Sequence, residues 1–177
     1  MRISGGSLRG RSVECPPGTI RPAMDRMRES MFAILGDIAG LSFLDLFSGS
    51  GLVGLEAYSR GAQPVVLVER DAGKRRTIVA NLADLDPAPR LIVAPVERFL
   101  VRNRTNFDIV YLDPPFAYRY KRDLLQRVAT SRTVRDDSRV LIHAPDGESL
   151  PDALGGLQRI DQRRYGGSKL SFYLSLS

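Results

Sequence analysis

The stretch Asp113-Pro114-Pro115-Phe116 follows an apolar run and places hydrogen-bond acceptors beside an aromatic ring. Two consecutive prolines fix their φ angles and lack N–H donors, so this segment has to leave a sheet as a rigid loop. The Asp113 carboxylate and the Pro114 carbonyl can accept two hydrogen bonds from an exocyclic amino group while Phe116 stacks on its ring. The pattern predicts a site for the amine of a nucleic-acid base, with a simple strand-ending turn as the alternative.

A glycine-rich turn between a predicted strand and a predicted helix lies within residues 44–54, L-D-L-F-S-G-S-G-L-V-G. Gly49 and Gly51 let a ligand approach the main chain, and the helix that follows presents free N–H groups to the same ligand. With Gly54 they form G-x-G-x-x-G, the fingerprint of dinucleotide sites, in which an acid such as Glu69 binds the ribose. The turn therefore predicts a cofactor site.

Asp45, at the end of the first predicted strand, favours one cofactor class over another. Its carboxylate would repel the pyrophosphate of NAD but would suit a ligand that carries an ammonium and a sulfonium, such as S-adenosylmethionine (SAM). G-x-G-x-x-G alone occurs in many unrelated proteins. We therefore predict SAM, with NAD as the alternative, and we expect Glu69 to accept both ribose hydroxyls.

Strand-like and helix-like runs alternate between residues 42 and 143. The five predicted strands are 42–47, 65–69, 91–94, 108–112 and 140–143. The four predicted helices between them are 52–60, 72–85, 97–102 and 122–130. Such alternation favours a parallel sheet covered by helices on both faces, with ligands bound beyond the carboxyl ends of the strands. Asp45, Glu69 and Asp113 are all expected at that edge.

The two ends of the chain have different patterns. Residues 159–165 and 170–176 predict a closing hairpin. Residues 1–20 predict a small hairpin followed by an irregular crossing, and an apolar stripe after Pro22 predicts a helix. We expect one globular domain over residues 1–177, with a basic hairpin extension over 1–20 and a catalytic core over 21–177.

The charge distribution indicates a polyanionic partner, since the formal net charge is +6. Residues 1–35 contain six arginines against three acids, and residues 101–135 contain seven arginines and one lysine against three acids. If both stretches share one face, they would form the electrostatic footprint of a nucleic-acid-binding protein. Scattered solvated arginines are the alternative.

The composition indicates the cellular compartment and limits the metal sites that the chain could form. No apolar leader or membrane-length run is present, and the single cysteine, Cys15, fits a reducing cytoplasm. One cysteine and one histidine are too few for a zinc cluster. We therefore predict a cytoplasmic protein without a metal.

Further stretches extend the pattern of the turn and the D-P-P-F loop (residues 113–116). They are G-G-S-L-R-G-R at 5–11, R-P-A-M-D-R-M-R-E-S-M-F at 21–32, G-L-E-A-Y-S-R-G-A at 54–62 and Y-G-G-S-K-L-S-F-Y at 165–173. The whole set resembles the RsmD family, which methylates N2 of a guanine in small-subunit ribosomal RNA. The resemblance covers nearly the whole chain and is loose only over residues 134–158.

The resemblance implies an α/β fold of the Rossmann-like SAM-dependent methyltransferase type. Its sheet is expected to be mostly parallel, with seven strands of which the last is antiparallel, and to carry a short N-terminal β-hairpin extension. SAM is the implied cofactor. Small-subunit rRNA or the assembling 30S particle is the implied partner, and we expect a monomer without membrane or metal partners.

The motifs, the resemblance and the distribution of charge together predict residues for three roles. The expected catalytic residues are Asp113, Pro114, Pro115 and Phe116. The expected cofactor-binding residues are Asp45, Phe47, Ser48, Gly49, Ser50, Gly51, Glu69, Arg70, Val96, Glu97 and Asp113. The expected RNA-binding residues, which should flank the mouth where the base enters, are Arg9, Arg11, Arg21, Arg26, Arg28, Arg119, Lys121 and Arg122.

Two departures from the family pattern concern a helix cap and the adenine. Ala23 stands where the family usually has threonine, which leaves Asp25 as the nearer cap residue. Pro95 stands where an Asp or Asn often accepts from the adenine amine. Adenine recognition is then expected from the Val96 N–H or from Glu97.

A third departure is at the end of strand five, which in the family commonly carries Glu and here carries His143 and Ala144. A surface or packing role is favoured for this histidine over catalysis. Two other functions stay open. The D-P-P-F motif does not specify which base is methylated, so the first alternative is an amino-methyltransferase that acts on adenine or on DNA. The departures at Ala23 and Pro95 allow the second, a non-catalytic RNA-binding or ribosome-assembly protein.

Overall fold

A computed structural model describes residues 1–15 and 22–176, with side chains from Met24 onward in the first helix. The irregular crossing predicted within residues 16–20 and the RNA contact predicted for Arg21 lie outside these residues, as does the side chain of Ala23. Within the described ranges, no helix is long and apolar enough to cross a membrane.

Strands and helices alternate through most of the chain, as predicted. The strands are β1 (Phe43–Leu46), β2 (Val65–Glu69), β3 (Arg90–Val93), β4 (Ile109–Leu112), β5 (Arg139–Pro145), β6 (Ala153–Leu154), β7 (Leu157–Tyr165) and β8 (Ser168–Ser175). The helices are α1 (Pro22–Leu35), α2 (Leu52–Ser59), α3 (Arg75–Leu82), α4 (Val96–Arg102) and α5 (Lys121–Thr130). The helix predicted over 72–85 is divided, because a short 3₁₀ turn over Ala72–Lys74 precedes α3.

All eight strands form one sheet in the order β3-β2-β1-β4-β5-β8-β7-β6. The first five strands along the chain pair in parallel, and β8 runs antiparallel to both β5 and β7. The predicted antiparallel last strand is confirmed. The sheet has one more strand than predicted, because the two-residue β6 pairs along the outer edge of β7.

Helices cover both faces of the sheet and enclose two apolar cores. On one face, side chains from α1, α2 and α3, such as Phe32, Leu55 and Ile78, pack with Phe43 of β1. On the other face, α4 and α5 pack against the strand residues that alternate with these, among them Leu44. This doubly covered arrangement confirms the predicted fold class.

The N-terminal segment is an irregular hairpin held on the α2 face. One isolated bridge joins Arg2 to Ser12, and Ile3 and Val13 are buried in the core beside α2. The predicted hairpin is therefore present in outline, although it does not form two regular strands.

Glu56 of α2 ties this segment to the core. Its carboxylate accepts bonds from the Ser4 N–H, the Ser4 hydroxyl and the Gly5 N–H, and it forms ion pairs with Arg28 at 3.2 Å and Arg60 at 3.1 Å. Burial alone would raise the pKa of Glu56, but the bonds from Ser4 and Arg60 and the Arg28 charge lower it. A single buried carboxylate thus joins three parts of the chain.

Asp25 does not cap α1. The helix begins at Pro22, which places Asp25 inside its first turn, where the carboxylate forms an ion pair with Arg28 at 2.7 Å. The predicted cap assignment is therefore corrected.

Candidate active site

A cleft of about 1090 Å³ opens at the carboxyl edge of the parallel strands. Glu69 ends β2 and Asp113 follows β4, and both side chains line the cleft. The strand between them in the sheet, β1, feeds the glycine-rich turn. The volume is slightly above the range usual for small-molecule sites.

The glycine-rich turn adopts the backbone that its sequence predicts. Gly49 and Gly51 have φ angles of 59° and 82°, in the left-handed region that glycine enters without strain. Gly51 is the N-cap of α2, so free N–H groups of this helix face the same end of the sheet. Phe47 also has a positive φ of 64° and lines the cleft, and such strain at a non-glycine residue is typical of functional sites.

Gly54 permits close packing of α2 on the sheet. A Cβ at this position would lie 2.0 Å from Leu67 Cδ2. This closeness explains the third glycine of the motif in terms of packing.

Asp45 lies beneath the turn and does not line the cleft. Only 1% of the residue is exposed, and its Oδ2 accepts a 3.0 Å hydrogen bond from the Gly54 N–H. Burial raises the pKa of Asp45 well above its usual value; the Gly54 bond opposes this, and the charges of Asp113 and Glu69 add to it. A direct contact between Asp45 and a ligand in the cleft does not fit this burial. A link through water, the other form of the predicted contact, stays a prediction, since Asp45 Oδ1 has no hydrogen-bond partner within the described residues.

Glu69 occupies the position predicted for a ribose-binding acid. Its Oε2 accepts from the Gly49 N–H at 2.8 Å, and its Oε1 accepts from the Asp71 N–H at 2.9 Å. Each carboxylate oxygen has a second lone pair, so the group can still accept from a diol. Arg70 and Lys74 line the same side of the cleft.

The two serines of the turn, predicted to bind the cofactor, do not line the cleft. Ser48 is buried and donates its N–H to Val68 O at 3.0 Å, while Ser50 O accepts from the Asn81 side chain at 3.0 Å. Their structural roles are to fix the turn to β2 and to α3.

The side of the cleft predicted to hold adenine is formed by Pro95 and Tyr118. Val96 is the first residue of α4, so its N–H has no acceptor within the helix, whereas its side chain is buried. Glu97 accepts a 2.6 Å bond from the Tyr118 hydroxyl, and the Tyr118 ring contacts Phe47 edge-on at 5.7 Å. Burial and Glu97 raise the pKa of Tyr118. Glu97 therefore orients an aromatic wall of the cleft.

All four residues of the D-P-P-F loop line the cleft. The loop is fixed at its start, where the Asp113 N–H donates to Leu46 O at 3.2 Å. It is also fixed beyond its end, where the Lys121 ammonium donates to Phe116 O at 2.9 Å and to Tyr118 O. Hydrogen bonds at both ends of the loop therefore add to the rigidity that its two prolines predict.

His143 contacts two residues of this loop. Its Nδ1 lies 2.9 Å from Asp113 Oδ1, and its ring meets the Phe116 ring edge-on at 5.4 Å. The residue is 3% exposed and lines the cleft, so a surface role is excluded. The signal that could have identified it is its place at the carboxyl end of β5, the parallel neighbour of β4.

Other parts of the cleft wall come from distant segments. They include Met24 of α1 and Tyr165, Gly167 and Ser168 around the β7–β8 turn. The Tyr165 hydroxyl is 2.6 Å from Ser30 Oγ on α1, which joins these two elements. Motif spacing alone does not indicate them.

Comparison with known proteins agrees with this geometry. The family model described as "Conserved hypothetical protein 95" matches residues 1–174. The Escherichia coli K12 protein "Ribosomal RNA small subunit methyltransferase D" is 34% identical over 155 residues, covering 85% of this chain and 78% of its own length. The chain belongs to the RsmD family. YlbH of Bacillus subtilis is 32% identical over 98% of both chains. The solved structure of yhhF from Escherichia coli has a TM-score of 0.87 at 28% identity and covers 100% of this chain and 98% of its own.

In this RsmD-family chain, the two basic stretches lie on opposite faces of the sheet. Ile3 and Val13 anchor the N-terminal segment in the core beside α2, whereas Leu124 of α5 packs in the other core. The condition for the predicted footprint, that both basic stretches share one face, is therefore not met.

Arg9 and Arg11 do not line the cleft. The Leu8 N–H bonds to Ser59 Oγ at the last residue of α2, so Arg9 lies near the end of α2 that is remote from the glycine-rich turn. The expectation that Arg9 flanks the mouth is therefore wrong. The Arg11 guanidinium donates to Asn81 O, and the Asn81 side chain bonds to the turn at Ser50 O, so the RNA contact of Arg11 stays a prediction.

Arg28 and Lys121 are buried, at 3% and 1% exposure. Arg28 is paired with Asp25 and Glu56, and Lys121 holds the carbonyls after the D-P-P-F loop. Neither side chain is open to a phosphate, so their assignment as RNA contacts is corrected to structural support. Arg26, Arg119 and Arg122 are exposed.

Proposed function

We propose that this chain is a SAM-dependent methyltransferase that modifies N2 of a guanine in small-subunit ribosomal RNA. The observation that carries the proposal is one cleft lined by both Glu69, beside the glycine-rich turn, and the D-P-P-F loop. Because the predicted cofactor site and the predicted amine site share this cleft, a group could pass directly from the cofactor to the amine. The function printed for the related Escherichia coli protein supports the RNA substrate.

The residues on the turn side fit SAM. In this proposal the Glu69 carboxylate accepts hydrogen bonds from the ribose hydroxyls, which its position beside the Gly49 N–H supports. The N–H groups at the start of α2 and the open backbone at Gly49 bind the polar groups of SAM, and the Val96 N–H binds its adenine. When bound, SAM supplies a methyl group that its sulfonium has already activated for transfer. The protein therefore has to orient the nucleophile rather than activate the methyl group.

The D-P-P-F loop is suited to hold the amine. The Asp113 carboxylate and the Pro114 carbonyl each accept a hydrogen bond from one N–H of the amine. These hydrogen bonds favour a pyramidal nitrogen and stabilise the positive charge that develops on it. Phe116 stacks on the base. The nitrogen would form the new N–C bond as the bond from the sulfonium to the methyl group breaks, which leaves a neutral thioether, and the nitrogen would release one proton to solvent. Because the base must leave its stack, a loop or partly assembled RNA is the expected substrate.

Nucleoside analysis after methyl transfer tests the proposal. Small-subunit rRNA from cells that lack this gene, free or in 30S particles, is incubated with the protein and labelled SAM, alongside DNA of the same sequence. N2-methylguanosine in the RNA is expected. Label in adenine or in DNA would replace the proposed substrate, and SAM binding without transfer to any of these would indicate a non-catalytic RNA-binding protein.

Glu69→Ala is expected to raise the SAM dissociation constant by about tenfold or more, because hydrogen bonds to a charged group contribute roughly 1.5–3 kcal/mol. Glu69→Gln should lie between the two, since its amide oxygen still accepts one bond. Calorimetric titration measures the affinity, and thermal unfolding shows whether the turn stays folded. An unchanged affinity in a folded Glu69→Ala variant would remove Glu69 from the SAM site.

The RNA surface is proposed to flank the D-P-P-F loop. Arg119 and Arg122 are exposed after the loop, and between them Tyr120 is 68% exposed with its ring edge-on to Tyr118 at 6.2 Å. Arg26 is also exposed, but residues two apart on a helix point to different sides, so Met24 in the cleft wall does not bring Arg26 to the mouth. Cationic groups around an exposed aromatic ring suit a single-stranded RNA segment.

Arg119→Gln and Arg122→Gln should each weaken RNA binding and lower the slope of log K against log [salt] by about 0.7, the value for one phosphate contact on a single strand. Arg9→Gln is the matched control, because Arg9 is an exposed arginine beside the end of α2. Filter binding at several salt concentrations measures the slope. Equal slope changes at Arg9 and Arg122 would show that charge acts without a defined surface.

A further inference from the structure

The register of two parallel strands brings His143 and Asp113 together. Ile142 of β5 pairs with Leu112 of β4, so the next residue on each strand points to the same face at the same edge. The resulting contact joins His143 Nδ1 to Asp113 Oδ1 at 2.9 Å. The pairing of these side chains is therefore set by the sheet itself.

The hydrogen-bond partner of His143 Nδ1 determines whether this nitrogen carries a hydrogen. An ionised carboxylate only accepts hydrogen bonds, so His143 Nδ1 has to carry the hydrogen. In the described part of the chain no hydrogen-bond partner reaches His143 Nε2, which is buried. The proposed contact needs only the hydrogen on Nδ1, which both the Nδ1–H tautomer and the doubly protonated ring carry.

The imidazole ring is itself held in place. It is 3% exposed, meets Phe116 edge-on at 5.4 Å, and lies opposite Leu170 of β8 in the antiparallel pair. With the ring fixed, its N–H points in one direction and can fix the rotation of the Asp113 carboxylate.

We propose that His143 is a positioning residue that holds Asp113 through Oδ1, so that Oδ2 is presented to the amine of the base. This inference rests on the methyl transfer proposed above. The tolerance for misplacement is small, since about 1 Å at a reacting group can cost roughly a hundredfold in rate. His143 touches neither the amine nor the methyl group in this role.

Two substitutions of the same branched shape isolate the hydrogen bond. His143→Leu removes the donor, and His143→Asn keeps an N–H close to the position of Nδ1. In single-turnover assays with saturating SAM and RNA, the Leu variant should transfer methyl about tenfold to a hundredfold more slowly. The Asn variant should recover most of the rate, and the dissociation constants of SAM and RNA should stay within about twofold in both.

A double substitution shows whether His143 acts through Asp113. In an Asp113→Ala background, adding His143→Leu should cause no further loss of rate, because the group that it positions is absent. If circular dichroism shows that the Leu variants do not fold, His143→Ala replaces them in both comparisons.

Three outcomes would overturn the inference: a wild-type rate in the Leu variant, equal rates in the Leu and Asn variants, or a full additional loss in the Asp113→Ala background. Failure of the proposed function is separate from these results, since it would appear as absence of methyl transfer by the unmodified protein.

Discussion

Asp113→Ala is expected to slow methyl transfer by about a hundredfold or more, the usual effect of removing one preorganised electrostatic contact. The bonds from the amine to Asp113 strengthen as the nitrogen gains positive charge, so they contribute more in the transition state than in the ground state. SAM and RNA affinities should change much less than the rate. Single-turnover assays with both substrates saturating isolate the chemical step.

Asp113→Asn and Phe116→Ala serve as comparisons. The Asn variant should keep part of the rate, because its amide oxygen accepts one hydrogen bond without the full negative charge. Phe116→Ala should weaken RNA binding as well as the rate, since stacking holds the extruded base. Transfer at the wild-type rate by Asp113→Ala would show that the D-P-P-F loop is only a structural turn.

Glu56→Ala is expected to lower the free energy of unfolding by about 3–5 kcal/mol, as for other broken buried ion pairs. Its side chain is fully buried, and its removal leaves Arg28, also buried, without one partner. The bonds that hold Ser4 and Gly5 would be lost as well. Urea unfolding followed by circular dichroism measures the change.

Glu29→Ala is the matched control, because Glu29 is a helical glutamate that is exposed on α1. Its replacement should change the stability by less than about 0.5 kcal/mol, as for most surface sites. A similar small change in Glu56→Ala would show that the buried cluster contributes little to folding.

The stability contributed by Glu56 should also depend on pH. Its pKa is lowered in the folded protein, so its contribution is complete above the unfolded value of about 4.3 and is lost as pH falls through the lowered folded pKa. Glu56→Gln should therefore lose less stability than the parent on acidification. Unfolding curves measured at pH 7 and at lower pH values provide the comparison.

The amino-acid sequence by itself determined those elements of this protein that short stretches of residues specify. Apolar runs identified the five parallel strands, and the glycines at 49 and 51 identified a turn that needs positive φ angles. Residues 113–116 identified a rigid loop, because proline restricts the backbone wherever the loop lies. Since the carboxyl ends of parallel strands share one edge, the common location of Glu69 and Asp113 could also be predicted.

The tertiary structure decided the partners of individual side chains. Arg28 and Lys121 look like exposed cations in a sequence, yet the fold buries them against carboxylate and carbonyl oxygens. Asp45 was placed at the correct edge, but the approach of α2 covers it. The contact of His143 with Asp113 depends on the register between β5 and β4, which joins residues 30 positions apart. Strand register and helix packing are long-range properties, and for that physical reason local pattern could not supply them.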